Sequence, residues 1–220
     1  MCGRFSFSPL AKIIEDRFDV KVDSSYKPRF NSAPTQNLAV ITNEQPGRLC
    51  FFRWGLVPFW AKDSKIGNRM INTKAETISE KPSFRNAFKK RRCLVPADSF
   101  YEWKKITSSD KIPYRIMMKD QSLFAMAGIW ETWKSPEGSD LHTFSIITTS
   151  PNRLMENIHD RMPVILHPDD EKRWLSETES PELESLLKPF DENLMTAYPV
   201  SKLVNSPTND VEKIHEPVEY

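Results

Sequence analysis

The stretch from Ser99 to Thr149 constrains this chain most. Four apolar segments of strand length, "SFYEWKK", "YRIMMK", "LFAMAGIWETW" and "LHTFSIITT", follow one another there. Polar turns such as "KDQS" and "SPEGSD" join them, so they read as strands in hairpin-like succession. "LAVIT" (38–42) and "RLCFFRW" (48–54) repeat the pattern around "NEQPG", and "RMPVIL" and "MTAYPVS" add two more strands. Helices punctuate the strands. Ser8-Pro9 has the cap-plus-proline signature, and Leu10, Ile13, Ile14 and Phe18 follow as one apolar stripe. Residues 83–92 read as a helix with Phe84 and Phe88 inward and a basic outer face. Ser150-Pro151 is expected to open a helix running to Asp160. "PDDEKRWLSE" (168–177) and "PELESLLKPF" (181–190) carry acids early, where the helix dipole favours them. Strands dominate and no linker or repeat divides the chain. The expectation is α+β, one domain over 1–220 with a mostly antiparallel sheet.

Several classes are excluded. No apolar run approaches the ~18 residues that cross a bilayer; the longest, "LCFFRWGLVPFW", is broken by Arg53, Gly55 and Pro58. The N-terminus shows no apolar h-region, so a secretory leader is not expected. Three cysteines at wide spacing, with no C-x-x-C pair, suggest neither a disulfide framework nor a structural zinc site. Cys50 and Cys93 sit in apolar surroundings and read as inert buried thiols of a reducing, cytoplasmic compartment. Residues 1–167 carry 26 Lys and Arg against 17 Asp and Glu, a balance of +9, and residues 168–220 carry 5 against 13, a balance of −8. A basic body suits a polyanion partner; the plainer reading is a solvated surface whose charges mix in space.

Five places could carry chemistry. Cys2, if it becomes the first residue, offers an α-amine beside a thiol, which no internal cysteine can. Glu102 lies between Tyr101 and Trp103, where burial would raise its pKa. His159 stands before "DRMPVIL", Asn72 between "RMI" and "TKAET", and Phe59 and Trp60 follow Pro58. Singly, each has a bland alternative: a solvent-facing strand residue, a helix-dipole partner, a turn residue, core packing.

Together, "MCGRF", "RWGLVPFWAK", "MINTKAET", "RRCLVPADSFYEW", "MAGIWETW", "IITT", "IHDRMPVIL" and "PVSKLVN" resemble the SOS-response-associated peptidase family of abasic-site processing proteins. The resemblance runs from residue 2 to about residue 205. It implies a barrel-like antiparallel core with flanking helices, a basic DNA groove, no cofactor or metal, and single-stranded DNA with abasic sites as the partner, bound by a monomer. By resemblance, Cys2 is the nucleophile that cross-links to the lesion, and Asn72, Glu102 and His159 complete the catalytic set. Arg4, Asn31, Pro34, Trp60, Lys74 and Arg161 match DNA-contacting positions. Lys74 departs from the arginine many members carry, keeping the charge and losing the planar fork. The resemblance also implies a self-processing peptidase and a weak lyase side reaction. Two rivals stand beside it: an ordinary cysteine peptidase using Cys2 and His159, and a non-covalent single-strand binding module.

Overall fold

The computed structural model describes residues 2–176 and 179–220. Its strands, in chain order, are β1 (Phe5–Phe7), β2 (Arg29–Ser32), β3 (Asn37–Thr42), β4 (Gln45–Trp54), β5 (Asn72–Lys74), β6 (Arg92–Ala97) and β7 (Ser99–Lys105). There follow β8 (Lys111–Met118), β9 (Phe124–Lys134), β10 (Asp140–Thr149), β11 (Met162–Pro163), β12 (Ile165–Leu166) and β13 (Met195–Pro199). The helices are α1 (Ala11–Phe18), α2 (Arg85–Lys90), α3 (Arg153–Glu156), α4 (Pro168–Ser176) and α5 (Ser180–Ser185). None of them is long and apolar enough to cross a membrane.

Five strands close on themselves in the order β4-β3-β6-β9-β10. Every pairing is antiparallel except the closure, where β10 runs parallel to β4 with Phe144 opposite Trp54. Closure removes the free edges that would otherwise invite mispairing. A second sheet, β13-β8-β7-β1-β2, packs against this barrel through a hydrophobic cluster that both contribute to, from Phe5, Phe7 and Phe100 to Val95, Ile129 and Phe144. Trp54, fully buried, stacks edge-on to Phe5 and parallel to Phe144 and donates its indole N–H to the Ile71 carbonyl at 2.8 Å. One side chain thus ties the barrel seam to both β1 and the start of β5.

The expected architecture is the observed one, with local corrections. Ser8 does not cap a helix: its backbone N–H and hydroxyl donate to Asp98 at 2.7 and 2.8 Å. The Tyr26 hydroxyl donates to the Pro9 carbonyl, which keeps the chain extended until Leu10. The helix therefore starts at Ala11, leaving Leu10 and Ile13 of the expected stripe exposed and Ile14 inside. The helix expected over 150–160 is a single turn, capped by Asn152, whose side chain accepts from Met155 and donates to the Phe190 carbonyl. "RMPVIL" is not one strand. Val164 donates to Ile147 and accepts from Ala127, so the segment straddles the barrel seam and pairs with β10 through β11 and with β9 through β12. The last helix stops at Ser185, because Leu186, Leu187 and Phe190 turn inward. Glu177, placed in the preceding helix, lies outside the described residues. β1, β2, β5 and β6 had no counterpart among the strands expected from pattern.

Candidate active site

β5 is only three residues long, and it runs parallel to β10 with Asn72 opposite Ile146 and Lys74 opposite Thr148. That places Asn72 at the seam of the barrel. Its side-chain amide donates to the Cys2 carbonyl at 2.7 Å, fixing the residue that leads into β1. Cys2 is itself buried, and its thiol points at the Arg4 carbonyl, 3.8 Å away. Burial, reinforced by the negative charge of Glu102, pushes the Cys2 thiol up. It therefore stays protonated at neutral pH.

Glu102 sits mid-strand on β7, 2% exposed, with Phe100 and Tyr101 beside it in the core. Burial pushes its carboxyl up from 4.5 to about 7. A carboxyl near 7 can take and return a proton at working pH. His159 faces it, with Nε2 3.8 Å from Glu102 Oε2. The loop after α3 orients this ring: the Arg161 backbone N–H donates to Nδ1 at 3.1 Å, and the Asp160 carboxylate lies 2.8 Å from the same nitrogen. These two contacts want opposite tautomers. The backbone donor is fixed by the chain, whereas Asp160 is 88% exposed and free to face water. We therefore assign Nδ1 as the acceptor and Nε2 as the protonated nitrogen, aimed towards Glu102. Burial lowers the imidazole below its ordinary value, so the ring is neutral at pH 7.

The structure thus gathers Cys2, Asn72, Glu102 and His159, residues up to 157 positions apart in the chain, at one end of the barrel seam. The expected DNA contacts divide into four kinds. Lys74 is exposed at the end of β5. Arg161 is bound through both Nη atoms to the Glu76 carboxylate, at 2.6 and 2.9 Å, and through Nη2 to the Thr148 carbonyl at 2.6 Å. Trp60 and Phe59 are half exposed on the loop after β4, and Pro34 sits in the turn that Thr35 ties to the Trp54 carbonyl at 2.9 Å. Gly55 and Gly67 fold this aromatic loop back on itself. A Cβ on Gly67 would lie 2.5 Å from the Gly55 carbonyl oxygen, and Gly55 has φ +124°, open to glycine.

Arg4 and Asn31 are engaged with the protein. Arg4 Nη1 donates to Asn31 Oδ1 at 2.7 Å and to the Val204 carbonyl at 2.6 Å, and its guanidinium lies 5.9 Å from the Trp103 ring. Asn31 is fully buried, with its amide shared among the carbonyls of Val204, Ser206 and Asn209. Its place is behind Arg4. Sequence reasoning missed Glu76 and Thr148, which hold Arg161, and Trp54, which holds the seam. "NTKAET" carried the signal for Glu76, as an acid two residues from an expected phosphate contact.

The SOS response associated peptidase family model matches residues 1–207. The abasic site processing protein YoqW of Bacillus subtilis is 52% identical over 223 residues, covering 98% of this chain and 99% of that protein. The abasic site processing protein YMR114C of Saccharomyces cerevisiae is 34% identical and covers 88% of this chain, which spans 54% of that longer protein. A crystal structure of a protein from Bacteroides thetaiotaomicron matches with a TM-score of 0.91 at 34% identity, over 99% of this chain and 100% of that one.

Proposed function

This chain belongs to the SOS response associated peptidase family, and on that premise we propose that it processes abasic sites in single-stranded DNA by covalent capture through Cys2. The observation that carries the reading is the convergence of Asn72, Glu102 and His159 on Cys2. With Met1 removed, Cys2 bears a free α-amine, whose reference pKa of about 7.7–8.0 leaves a reactive neutral fraction at pH 7.

The open-chain form of an abasic deoxyribose carries an aldehyde at C1′. The Cys2 amine adds to that carbon, and Glu102 takes the proton the nitrogen sheds. Protonated Glu102 gives it to the former aldehyde oxygen, completing the carbinolamine, and then passes the second nitrogen proton to that hydroxyl, which leaves as water and gives the imine. The thiol adds next: a sulfur–C1′ bond forms, the thiol proton ends on nitrogen, and a five-membered thiazolidine closes. A thiol held protonated suits this order, since sulfur acts second and its proton is consumed in the step. Neutral His159 assists earlier, moving the proton between ring oxygen and hydroxyl as the sugar opens. Asn72 holds the Cys2 backbone so that amine and sugar meet in one geometry. Removal of Met1 is the self-processing step that the family name suggests for this site. β-Elimination from the imine is the lyase side reaction, and ring closure suppresses it.

The test is a denaturing gel with an abasic single-stranded oligonucleotide, followed by intact mass. The mature protein should give an adduct weighing protein plus DNA minus one water. A protein with one extra residue before Cys2 keeps the thiol and displaces the amine, and it should give no adduct that survives denaturation. If the extended protein cross-links equally well, the aminothiol mechanism is wrong.

A further inference from the structure

Arg161 presents only one edge of its guanidinium. Nε is buried away from solvent, and the Thr148 carbonyl takes a hydrogen of Nη2. The outward edge, formed by Nη1 and Nη2, is already occupied end-on by the two oxygens of Glu76. A phosphate approaching Arg161 bidentately needs that same edge. The Arg161 side chain is 14% exposed and that of Glu76 is 49% exposed, so the carboxylate covers the arginine from the solvent side and can itself swing out to water. Its carboxyl is held below the ordinary range, first by the Arg161 hydrogen bonds and also by the charge of Lys74. Glu76 therefore sits between the two cations of the β5 end of the site.

We propose that Glu76 is a positioning residue that acts as a displaceable stand-in for a DNA phosphate: it keeps Arg161 fixed in the DNA-free protein and surrenders its outward edge to the strand backbone. The proposal rests on the resemblance that places Arg161 among the DNA-contacting positions, and on its guanidinium meeting a phosphate there. Its consequence is a damped affinity for undamaged single strands. Each phosphate that docks on Arg161 must first displace a carboxylate, so one counterion-releasing contact is partly cancelled inside the protein. Retention then comes from the covalent step at Cys2 more than from tight non-covalent binding.

The experiment measures anisotropy of an undamaged single-stranded oligonucleotide, which has no aldehyde and reports binding alone, across a salt series. Glu76→Gln keeps the size and removes the charge. It should tighten binding several-fold at low salt and steepen the slope of log affinity against log salt by up to about 0.7, the value of one phosphate on a single strand. Glu76→Asp restores the charge and should return the slope towards that of the wild type. In an Arg161→Gln background, Glu76→Gln should lose most of its gain. An unchanged or shallower slope for Glu76→Gln would overturn the proposal and leave Glu76 a purely structural partner; so would a wild-type protein with no affinity for the oligonucleotide. A parallel denaturing gel with the abasic oligonucleotide reads the chemistry separately. A wild type that shows the salt behaviour and forms no adduct would sink covalent capture and leave the role of Glu76 standing.

Discussion

Glu102 has two measurable consequences. Its raised carboxyl makes it a proton carrier near neutrality, so Glu102→Gln should slow adduct formation by about 10²–10⁴-fold, the usual worth of a general base, with single-strand binding little changed. Single-turnover cross-linking at saturating DNA decides this, and equal rates would remove Glu102 from the mechanism. The second consequence is stability. The folded state keeps the Glu102 proton up to about 7, whereas the unfolded chain releases it from 4.5 upward. The folded state therefore binds more protons through this window, and stability falls as pH rises from 4.5 to about 7, then levels. A shift of this size corresponds to about 3 kcal/mol at 1.36 kcal/mol per unit. Glu102→Gln should be more stable than the wild type above pH 7 and should lack this part of the pH dependence; urea midpoints at several pH values would show it. A midpoint difference that does not vary with pH would mean that Glu102 titrates normally.

At the level of elements, the hairpins after Ser99 were legible because each carries apolar residues at strand spacing between polar turns. β7 to β10 occupy the expected segments. The short strands were not legible. β1 and β5 have three residues each, too few for a period, and they exist because neighbours offer them a sheet edge. The capping signals at Ser8 and Ser150 misled for a related reason: Asp98 and Tyr26 claim the first segment through contacts distant in sequence, and Asn152 is a better cap for the second. The candidate site was legible only through motif resemblance, since nothing local in the chain joins Cys2 to Asn72 or Glu102 to His159. The aromatic loop gives an element-scale prediction. Gly67→Ala sets a methyl against the Gly55 carbonyl, and backbone cannot yield there as a side chain can. The variant should melt lower. It should also bind single-stranded DNA more weakly, by up to the roughly 1–3 kcal/mol that one stacked base supplies, because Phe59 and Trp60 are re-aimed. Unchanged affinity in a folded Gly67→Ala protein would show that the loop's aim does not matter to binding.

Across the whole molecule, the acidic segment does more than offset the basic body. Asp210 closes the edge of the second sheet: Oδ1 accepts from the backbone N–H groups of Phe30 and Asn31 at 2.7 and 2.9 Å, and Oδ2 from Arg29 at 2.9 Å. Just before it, Val204, Ser206 and Asn209 lend their carbonyls to Asn31, and Val204 also holds Arg4. Just after it, Ile214 is fully buried in a small cluster with Tyr101, the residue beside Glu102. The far end of the chain thus buttresses the wall that carries Arg4 and Glu102, and part of that buttress, from residue 208 onward, lies past the 1–207 span of the family match. Its sequence gives little sign of this, because polar residues without a period look like a solvated tail. Asp210→Ala leaves two backbone donors at the sheet edge without their acceptor. Each unsatisfied buried donor costs about 1–3 kcal/mol, and partial access to water reduces that, so a total loss of about 2 kcal/mol is expected. The urea midpoint should fall with the slope unchanged, and Asp210→Asn, which keeps one acceptor oxygen, should recover part of the loss. Adduct formation by Asp210→Ala should also slow, since the wall shifts beneath both Glu102 and Arg4. A variant with the wild-type midpoint would show that water replaces Asp210 at the edge and that the segment is not a buttress.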